Sequence, residues 1–271
     1  MTALYAALIL IGPKPQQALT SQEIIAKTLV KYANAKSGVG EFVMSQSTQG
    51  KKVAIKTELQ IERPSKIYLH QSSDTIAPLD WLLVSDGANF GYDVPGNPAG
   101  PRRRLFEPVA ITESATGAKK LLKVHSLYMA AKRSLGDNLN PFVEFITQSE
   151  GDGQSVKGFL TRLYKINAVQ DKTLPDGATV YSIGGNMMFG NAILDEQGKQ
   201  KYDDKGNPMF ESAGRFELTV SKDFDLVGMK TSETITLNDA ATNLPTQVVV
   251  VTSWTGKFQI DATPADVFKV K

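Results

Sequence analysis

The segment 52–63 carries a long alternation of polar and apolar side chains. Such an alternation predicts a β-strand with one buried face and one face in water. The apolar register holds Val53, Ile55, Thr57, Leu59 and Ile61. Arg63 ends this register, and a buried guanidinium without a partner is very costly. The segment therefore predicts a sheet that lines an apolar space, with one positive group at its edge.

The composition of the chain narrows the classes of function. Hydrophobic residues make up 41% and charged residues 21% of the 271 positions, which is ordinary for a globular protein. The net charge of +2 gives no bulk electrostatic support for binding nucleic acid. No stretch approaches the roughly 20 apolar residues of a membrane-spanning helix. Because the chain has no cysteine, disulfides, thiol nucleophiles and thiolate metal sites are excluded.

The first 19 residues allow two interpretations. Residues 3–11 resemble the short apolar region of a secretion signal. No lysine or arginine precedes them, however, and Gln16-Gln17-Ala18 is a poor cleavage site. Residues 1–19 are therefore expected to be either a signal segment or an apolar tail, and a single domain is expected over residues 20–271.

Capping and turn signals divide the first third of the chain. Thr20 and Glu23 have the spacing of a capping box, which predicts a helix to about Lys36. Asp86-Gly87 is a strong signal for a hairpin turn. Strands are expected over residues 41–47, 52–63, 67–70, 81–85 and 88–92, with hairpin turns at 47–50 and 86–87.

An insert at residues 114–147 is predicted to be helical. One helix is expected over 116–135, and a second begins at Asn140-Pro141, where asparagine caps and proline takes the first helical position. From Lys157 the pattern returns to strands, expected over residues 159–169, 179–183, 215–221, 227–237 and 247–258.

Three local patterns mark this β-rich part. Residues 184–186 are expected to form a bulge or turn. Two acidic turns, 195–199 and 203–207, lie in a predicted hairpin insertion over 186–212 and lack the spacing of a calcium loop. The continuous apolar run 248–251 predicts a strand that is covered on both faces.

These elements together predict an α+β fold. It consists of one large curved antiparallel sheet, an incomplete β-barrel of about ten to eleven strands. The N-terminal helix and the helical insert are expected on its concave side, where the insert acts as a lid or plug. Displacing an apolar lid of this kind opens a pocket suited to acyl chains.

Signals for catalysis are absent from the sequence. The two histidines, His70 and His125, have no metal-binding spacing, and no nucleophile elbow or phosphate loop is present. No catalytic residue, metal or cofactor is therefore predicted. A hydrolase acting on envelope glycans or lipids stays open as a third hypothesis, because paired carboxylates cannot be located without a fold.

Two further clusters are given structural roles. The run Arg102-Arg103-Arg104 is expected to be a solvated loop after the Pro/Gly-rich segment 95–101. The aromatic residues at strand positions are expected to belong to the core rather than to stack on a ligand; they are Trp81, Phe90 and Tyr92.

The end of the opening strand resembles a known motif. Ile61-Glu62-Arg63-Pro64, with Lys66 and Tyr68, is similar to the strand-end Arg-Pro motif of the LolA/LolB-like lipoprotein localisation proteins. The segment 82–87, followed by Phe90, Tyr92 and Pro95, is similar to the next hairpin of that family. The resemblance covers roughly residues 21–95.

This resemblance implies an incomplete antiparallel barrel whose helical lid covers a cavity for lipoprotein acyl chains. It also implies that Arg63 bonds to the lid and helps to control opening. Two departures are visible, since the C-terminal half is longer and no lipobox cysteine exists. They favour a broader relative of the lipoprotein-sorting proteins over a strict LolA role.

The resulting hypothesis is a monomeric, non-catalytic binder of lipid or lipoprotein acyl chains in the periplasm or cell envelope of a bacterium. The cavity and lid candidates are Arg63, Val53, Ile55, Leu59, Ile61, Leu83, Phe90, Leu121, Tyr128, Phe142 and Phe145. The alternative is a protein-interaction or stress-sensor module on the same fold, with an envelope membrane protein as its partner.

Overall fold

The computed structural model describes residues 18–75, 79–94, 103–112, 117–135, 140–147, 162–204, 206, 209–238 and 244–270. Within these ranges the helices are α1 (Ser21–Asn34), α2 (Val124–Leu135) and α3 (Pro141–Thr147). The strands are β1 (Ser37–Thr48), β2 (Lys51–Glu62), β3 (Lys66–Ser73), β4 (Leu79–Asp86), β5 (Asn89–Val94), β6 (Arg103–Pro108), β7 (Ala110–Thr112), β8 (Lys119–Leu121), β9 (Leu163–Tyr164), β10 (Gln170–Thr173), β11 (Thr179–Ala192), β12 (Phe210–Ser221), β13 (Leu226–Asn238) and β14 (Pro245–Ile260). None of these helices has the length and apolar character needed to span a membrane.

One twelve-stranded antiparallel sheet dominates the fold. Its order is β10-β11-β12-β13-β14-β1-β2-β3-β4-β5-β6, and the short β9 pairs with β11. Because β10 and β6 are the two ends of this order, the described sheet is not closed into a barrel. The α+β class is confirmed, and the strand count is twelve rather than ten to eleven.

The three helices pack against the apolar face of this sheet. Their buried side chains join those of β1–β5 and β11–β14 in one hydrophobic cluster. The ring of Phe42 in β1 stacks on that of Phe142 in α3, with centroids 4.6 Å apart. The hydroxyl of Tyr32 in α1 accepts a hydrogen bond from the main-chain N–H of Leu226 at 2.8 Å. The sheet therefore wraps around the helices and supplies most of the core.

The first predicted elements are confirmed. Thr20 and Glu23 form the capping box, and α1 buries the stripe that includes Ile25, Leu29 and Tyr32. β1 and β2 pair as a hairpin from Ser37↔Glu62 to Thr48↔Lys51. The second predicted hairpin, β4–β5, turns at Gly87, whose φ of +93° lies in the left-handed region that favours glycine.

The predicted helix over 116–135 is wrong in its first part. Lys119–Leu121 is a strand, β8, which pairs with β7, and the helix begins at Val124. The N–H of Leu122 donates to the carbonyl of Val109, and Gly117 has a φ of +67°. The main chain here therefore forms the β7–β8 hairpin rather than a helix. As a result Leu121, predicted as a lid residue, lies in this hairpin and is 45% exposed.

The expected arginine loop is also wrong where it is described. Arg103 and Arg104 belong to β6, and the Arg104 guanidinium forms an ion pair with Asp93, with Nε 2.8 Å from Oδ1. The hydrogen bond from Arg104 to Asp93 raises the pKa of the guanidinium. Residues 1–17, the segment 95–101, Arg102 and the beginning of the predicted helix at 116 lie outside the described residues.

Three expectations for the β-rich part require correction. Residues 184–186 pair regularly within β11 and form no turn. Val249 is 55% exposed between buried neighbours, so β14 is covered on one face only. Within the predicted strand 159–169, the described residues contain only the two-residue β9. Residues 159–161 lie outside the described part.

The described part of the predicted hairpin insertion contains turns at 195–199 and at 203–206, while Lys205 and Asn207 lie outside the described residues. β11 extends to Ala192 and β12 begins at Phe210. Between them Asp195 donates its N–H to the Lys199 carbonyl at 2.8 Å, and the Gly206 N–H donates to the carbonyl of Asp203 at 2.9 Å.

Candidate functional site

The guanidinium of Arg63 lies between the C-termini of α1 and α3. Nε donates to the Ala35 carbonyl at 2.9 Å and Nη2 to the Tyr32 carbonyl at 3.2 Å. Nη2 also donates to the Ile146 carbonyl at 2.7 Å, and Nη1 donates to that of Thr147 at 3.2 Å. One half-buried side chain thus connects the end of β2 to two helices.

These carbonyls suit a cation for a physical reason. The last carbonyls of a helix lack intrahelical partners and carry partial negative charge. A guanidinium presents several N–H donors in a planar fork and can bond two helix ends at once. The main chain holds Arg63 in place, because its own N–H donates to the Lys36 carbonyl at 2.8 Å.

Helix α3 is short and fully embedded. Its N-cap Asn140 accepts the Val143 N–H through Oδ1 at 3.3 Å, and Pro141 occupies the first helical position, as predicted. The amide of Asn140 donates to the Thr57 hydroxyl of β2 at 3.4 Å. Its apolar side chains have no solvent exposure; they are Phe142, Val143, Phe145 and Ile146.

Polar contacts join α2 to α3. Lys132 and Glu144 form an ion pair that is mostly buried. The Thr147 hydroxyl donates to the Val143 carbonyl at 2.7 Å and therefore accepts from Nδ1 of His125, 3.0 Å away. These contacts hold the two helices together as one unit, the α2–α3 unit.

The start of α2 is anchored beside the arginine. The N–H of Val124 donates to the carbonyl of Pro64, the residue after Arg63, at 2.9 Å. On the next turn of α2, burial and then the charge of Glu144 raise the pKa of the Tyr128 phenol far above its ordinary value. Tyr128 is therefore a neutral core residue at physiological pH.

Comparisons with known proteins return structures only. No protein-family model and no curated protein sequence matches the chain. A LolA superfamily protein from Nitrosomonas europaea is similar at 11% identity, with 93% of this chain and 99% of that chain covered and a TM-score of 0.31. LprF from Mycobacterium bovis is similar at 10% identity, covering 87% and 90%, with a TM-score of 0.37.

A putative outer membrane lipoprotein-sorting protein domain from Vibrio parahaemolyticus is similar at 9% identity, covering 89% of this chain and 93% of that chain, with a TM-score of 0.25. These structures include the group that the Arg-Pro motif resembles. The contacts of Arg63 and α3, rather than this likeness, support the functional proposal below.

Most predicted cavity residues are brought together, but as a packed core. Those in the main hydrophobic cluster are Leu59, Ile61, Leu83, Phe90, Tyr128, Phe142 and Phe145. Ile55 is buried outside this cluster, Val53 is half-buried and Leu121 is exposed. Side chains of α2 and α3 therefore occupy the space that the sequence assigns to a ligand.

Two of the cavities that are lined by described residues lie elsewhere. One of about 710 Å³ is lined by residues of β11, β12 and β13, and the other, of about 790 Å³, lies at the beginning of α1. No group of three or more potential metal ligands occurs within the described ranges.

The ion pair and the histidine contact were missed by reasoning from sequence. One signal for Glu144 was available, since a carboxylate inside the apolar run 141–147 requires a cation. The contact of His125 with Thr147 had no comparable signal, because it depends on how α2 meets α3.

Proposed function

We propose that this chain binds a lipid or lipoprotein acyl chain between its sheet and the α2–α3 unit, as a non-catalytic carrier in the bacterial periplasm. The observation that supports the proposal most strongly is the bonding of Arg63 to the last two carbonyls of α3. These bonds can break without disturbing a single strand pairing. In this proposal Arg63 is a latch and α3 is the part that moves.

The energetics of exchange allow an acyl chain to replace α3. Exposing the four buried apolar side chains of α3 costs about 1.5–3 kcal/mol each, or about 6–12 kcal/mol together. A palmitoyl chain has about fourteen methylenes, and burying each contributes about 0.8 kcal/mol, so about 11 kcal/mol is returned. Because the two quantities are comparable, a modest change at the latch decides which occupant is preferred.

The low intrinsic stability of helix α3 also supports its displacement by an acyl chain. A helix of seven residues is unstable on its own, since nucleation is costly and few hydrogen bonds follow. Its order depends on the sheet, on α2 and on Arg63. Displacement of this segment is therefore less costly than displacement of α1, which has 14 residues and a capping box.

The proposal includes no chemical step. Nε2 of His70 lies 2.6 Å from the Asp80 carboxylate, and His125 is bonded to the buried Thr147. Both histidines therefore have contacts that account for them without a substrate. The periplasmic location comes from the resemblance of the Arg-Pro motif.

A reversible cross-link tests the proposal. The side chains of Thr57 and Asn140 are in contact across β2 and α3, so Thr57→Cys with Asn140→Cys is designed to tie α3 to the sheet. The chain has no other cysteine to interfere. A fluorescent sixteen-carbon fatty acid is titrated into the oxidised and the reduced protein, and bond formation is checked by mass spectrometry.

We expect saturable binding by wild type and by the reduced variant, and at least tenfold weaker binding after oxidation. The reduced variant is the matched control, since it differs only by the cross-link. Equal binding in both redox states, or no binding by wild type, contradicts the proposal. Capture of a membrane protein's periplasmic segment without fatty-acid binding supports the interaction-module alternative instead.

A further inference from the structure

The cavity of about 710 Å³ lies on the face of the sheet opposite the helices. In the strand pairing, Gly184 is opposite Glu217, and Glu217 is opposite Lys230. Residues paired in this way point to the same face, and they alternate with buried residues such as Phe216 and Leu218. The cavity is therefore separate from the proposed acyl site.

A glycine forms the floor of this cavity. A Cβ atom at Gly184 would meet the Asn167 amide nitrogen at 3.4 Å and the Phe216 carbonyl oxygen at 3.7 Å, which are ordinary contacts. Close packing therefore does not require glycine here. The N–H of Asn167 donates to the Gly184 carbonyl at 2.8 Å, which holds the segment 165–169 beside the cavity as its wall.

The charge around the cavity is unbalanced. Of the described residues that line it, three are cations and one is a carboxylate: Lys165, Arg215, Lys230 and Glu217. The carboxylate is already engaged, since Glu217 accepts from Lys172 Nζ at 2.6 Å and from the Ser182 hydroxyl at 3.1 Å. Lys172 neutralises Glu217 but does not itself line the cavity, so the lining residues keep an excess of positive charge.

We infer that this cavity binds a phosphate ester through Arg215 and Lys230. A guanidinium bonds two phosphate oxygens in parallel, and a lysine adds a point charge. The volume lies within the range of small-molecule sites and exceeds the needs of a bare phosphate. The neighbouring amides and hydroxyls suit the hydroxyl groups of a glycerol or sugar; they are Asn167, Gln170, Ser182, Asn186 and Ser232.

This inference does not depend on acyl-chain binding, and its test uses a different ligand. The phosphate ester belongs either to a soluble metabolite or to a lipid head group. Glycerol 1-phosphate and inorganic phosphate are titrated into the full chain by calorimetry at low ionic strength. Vesicles of phosphatidylcholine, with and without one quarter phosphatidylglycerol, are then tested by co-sedimentation.

A matched control is available in the same row of the sheet. Lys52 in β2 faces the same side as Arg215, four strands away through Ser47, Val251 and Ser232. We expect Arg215→Gln to weaken glycerol 1-phosphate binding about tenfold, because a hydrogen-bonded charge pair is lost. Lys52→Gln should leave the affinity unchanged.

A second variant blocks the space without changing charge. Gly184→Thr adds a side chain over the cavity floor and should abolish binding, while circular dichroism should stay that of wild type. Saturable binding that both Arg215→Gln and Gly184→Thr leave unchanged overturns the inference, as does the absence of saturable binding by wild type. Co-sedimentation only with phosphatidylglycerol assigns the ester to a lipid head group. Binding in solution without co-sedimentation assigns it to a soluble ester.

Discussion

Replacing Arg63 by leucine removes the proposed latch and keeps apolar volume at the end of β2. Two of its hydrogen bonds reach α3, at the carbonyls of Ile146 and Thr147. A buried hydrogen bond to a charged group contributes about 1.5–3 kcal/mol. Because Arg63 is half-exposed, each of its two bonds to α3 is expected to contribute about 1.5 kcal/mol or less. We therefore expect the free energy of opening α3 to fall by about 2–3 kcal/mol in Arg63→Leu.

Hydrogen exchange measures this opening directly. The main-chain N–H groups of residues 144–147 should be protected while α3 is in place, because they lie within the helix; that of Glu144 donates to the Asn140 carbonyl at 3.0 Å. A loss of about 2–3 kcal/mol corresponds to exchange about 30–150-fold faster at these amides. Arg63→Lys should give an intermediate rate, because one ammonium replaces only part of the fork.

A control substitution separates the latch from a general effect of charge. Lys66→Leu removes a cation from the beginning of β3, where its Nζ lies 2.7 Å from Glu62 Oε1. Its α3 amides should exchange within about threefold of wild type, as expected for a surface ion pair. The latch role of Arg63 is refuted if Arg63→Leu leaves α3 exchange unchanged. It is also refuted if α3 and β2 amides show the same strong dependence on urea, because α3 would then open only by global unfolding.

Three further outcomes are expected. Phe145→Ala should lower the free energy of unfolding by about 3–5 kcal/mol in urea titrations, since the ring is fully buried. The control Phe106→Ala, at a 53% exposed position, should change it by less than about 0.5 kcal/mol. Similar losses in the two variants would contradict the packing of α3. Tyr32→Phe should cost about 1–3 kcal/mol in the same assay, because a buried main-chain N–H loses its acceptor, and an unchanged stability would argue against that bond. The pKa of Glu217 in the folded protein is lowered chiefly by its hydrogen bond with Lys172. The Glu217 carboxylate therefore stabilises the fold fully above its unfolded pKa of about 4.3, and this stabilisation is lost as the pH falls through the lower folded pKa. NMR titration should therefore find a higher pKa for Glu217 in Lys172→Ala, and an equal pKa would contradict this assignment.

Local patterns predicted the first part of the sheet well. The alternation over 52–63 is a direct consequence of one buried face, and β2 buries Ile55, Thr57, Leu59 and Ile61 on that face. Capping and turn residues act within three or four positions, so Thr20 and the turn at Gly87 were visible from sequence alone.

Elements whose structure depends on distant contacts were predicted poorly. Residues 118–123 are rich in alanine, lysine and leucine, which favour helix, yet pairing with β7 makes 119–121 a strand. The run 248–251 is apolar throughout, and only the position of the helices determines that Val249 faces solvent. Sequence could not show which bonds Arg63 makes, because its partners are main-chain carbonyls that every residue possesses.

Hydrogen exchange of wild type with and without saturating palmitate shows whether an acyl chain displaces α3. If an acyl chain replaces α3 against the sheet, the amides of residues 144–147 should exchange at least tenfold faster with palmitate bound, while those of β2 keep their protection. Unchanged or slower exchange across α3 in the palmitate complex would mean that the acyl chain does not displace α3.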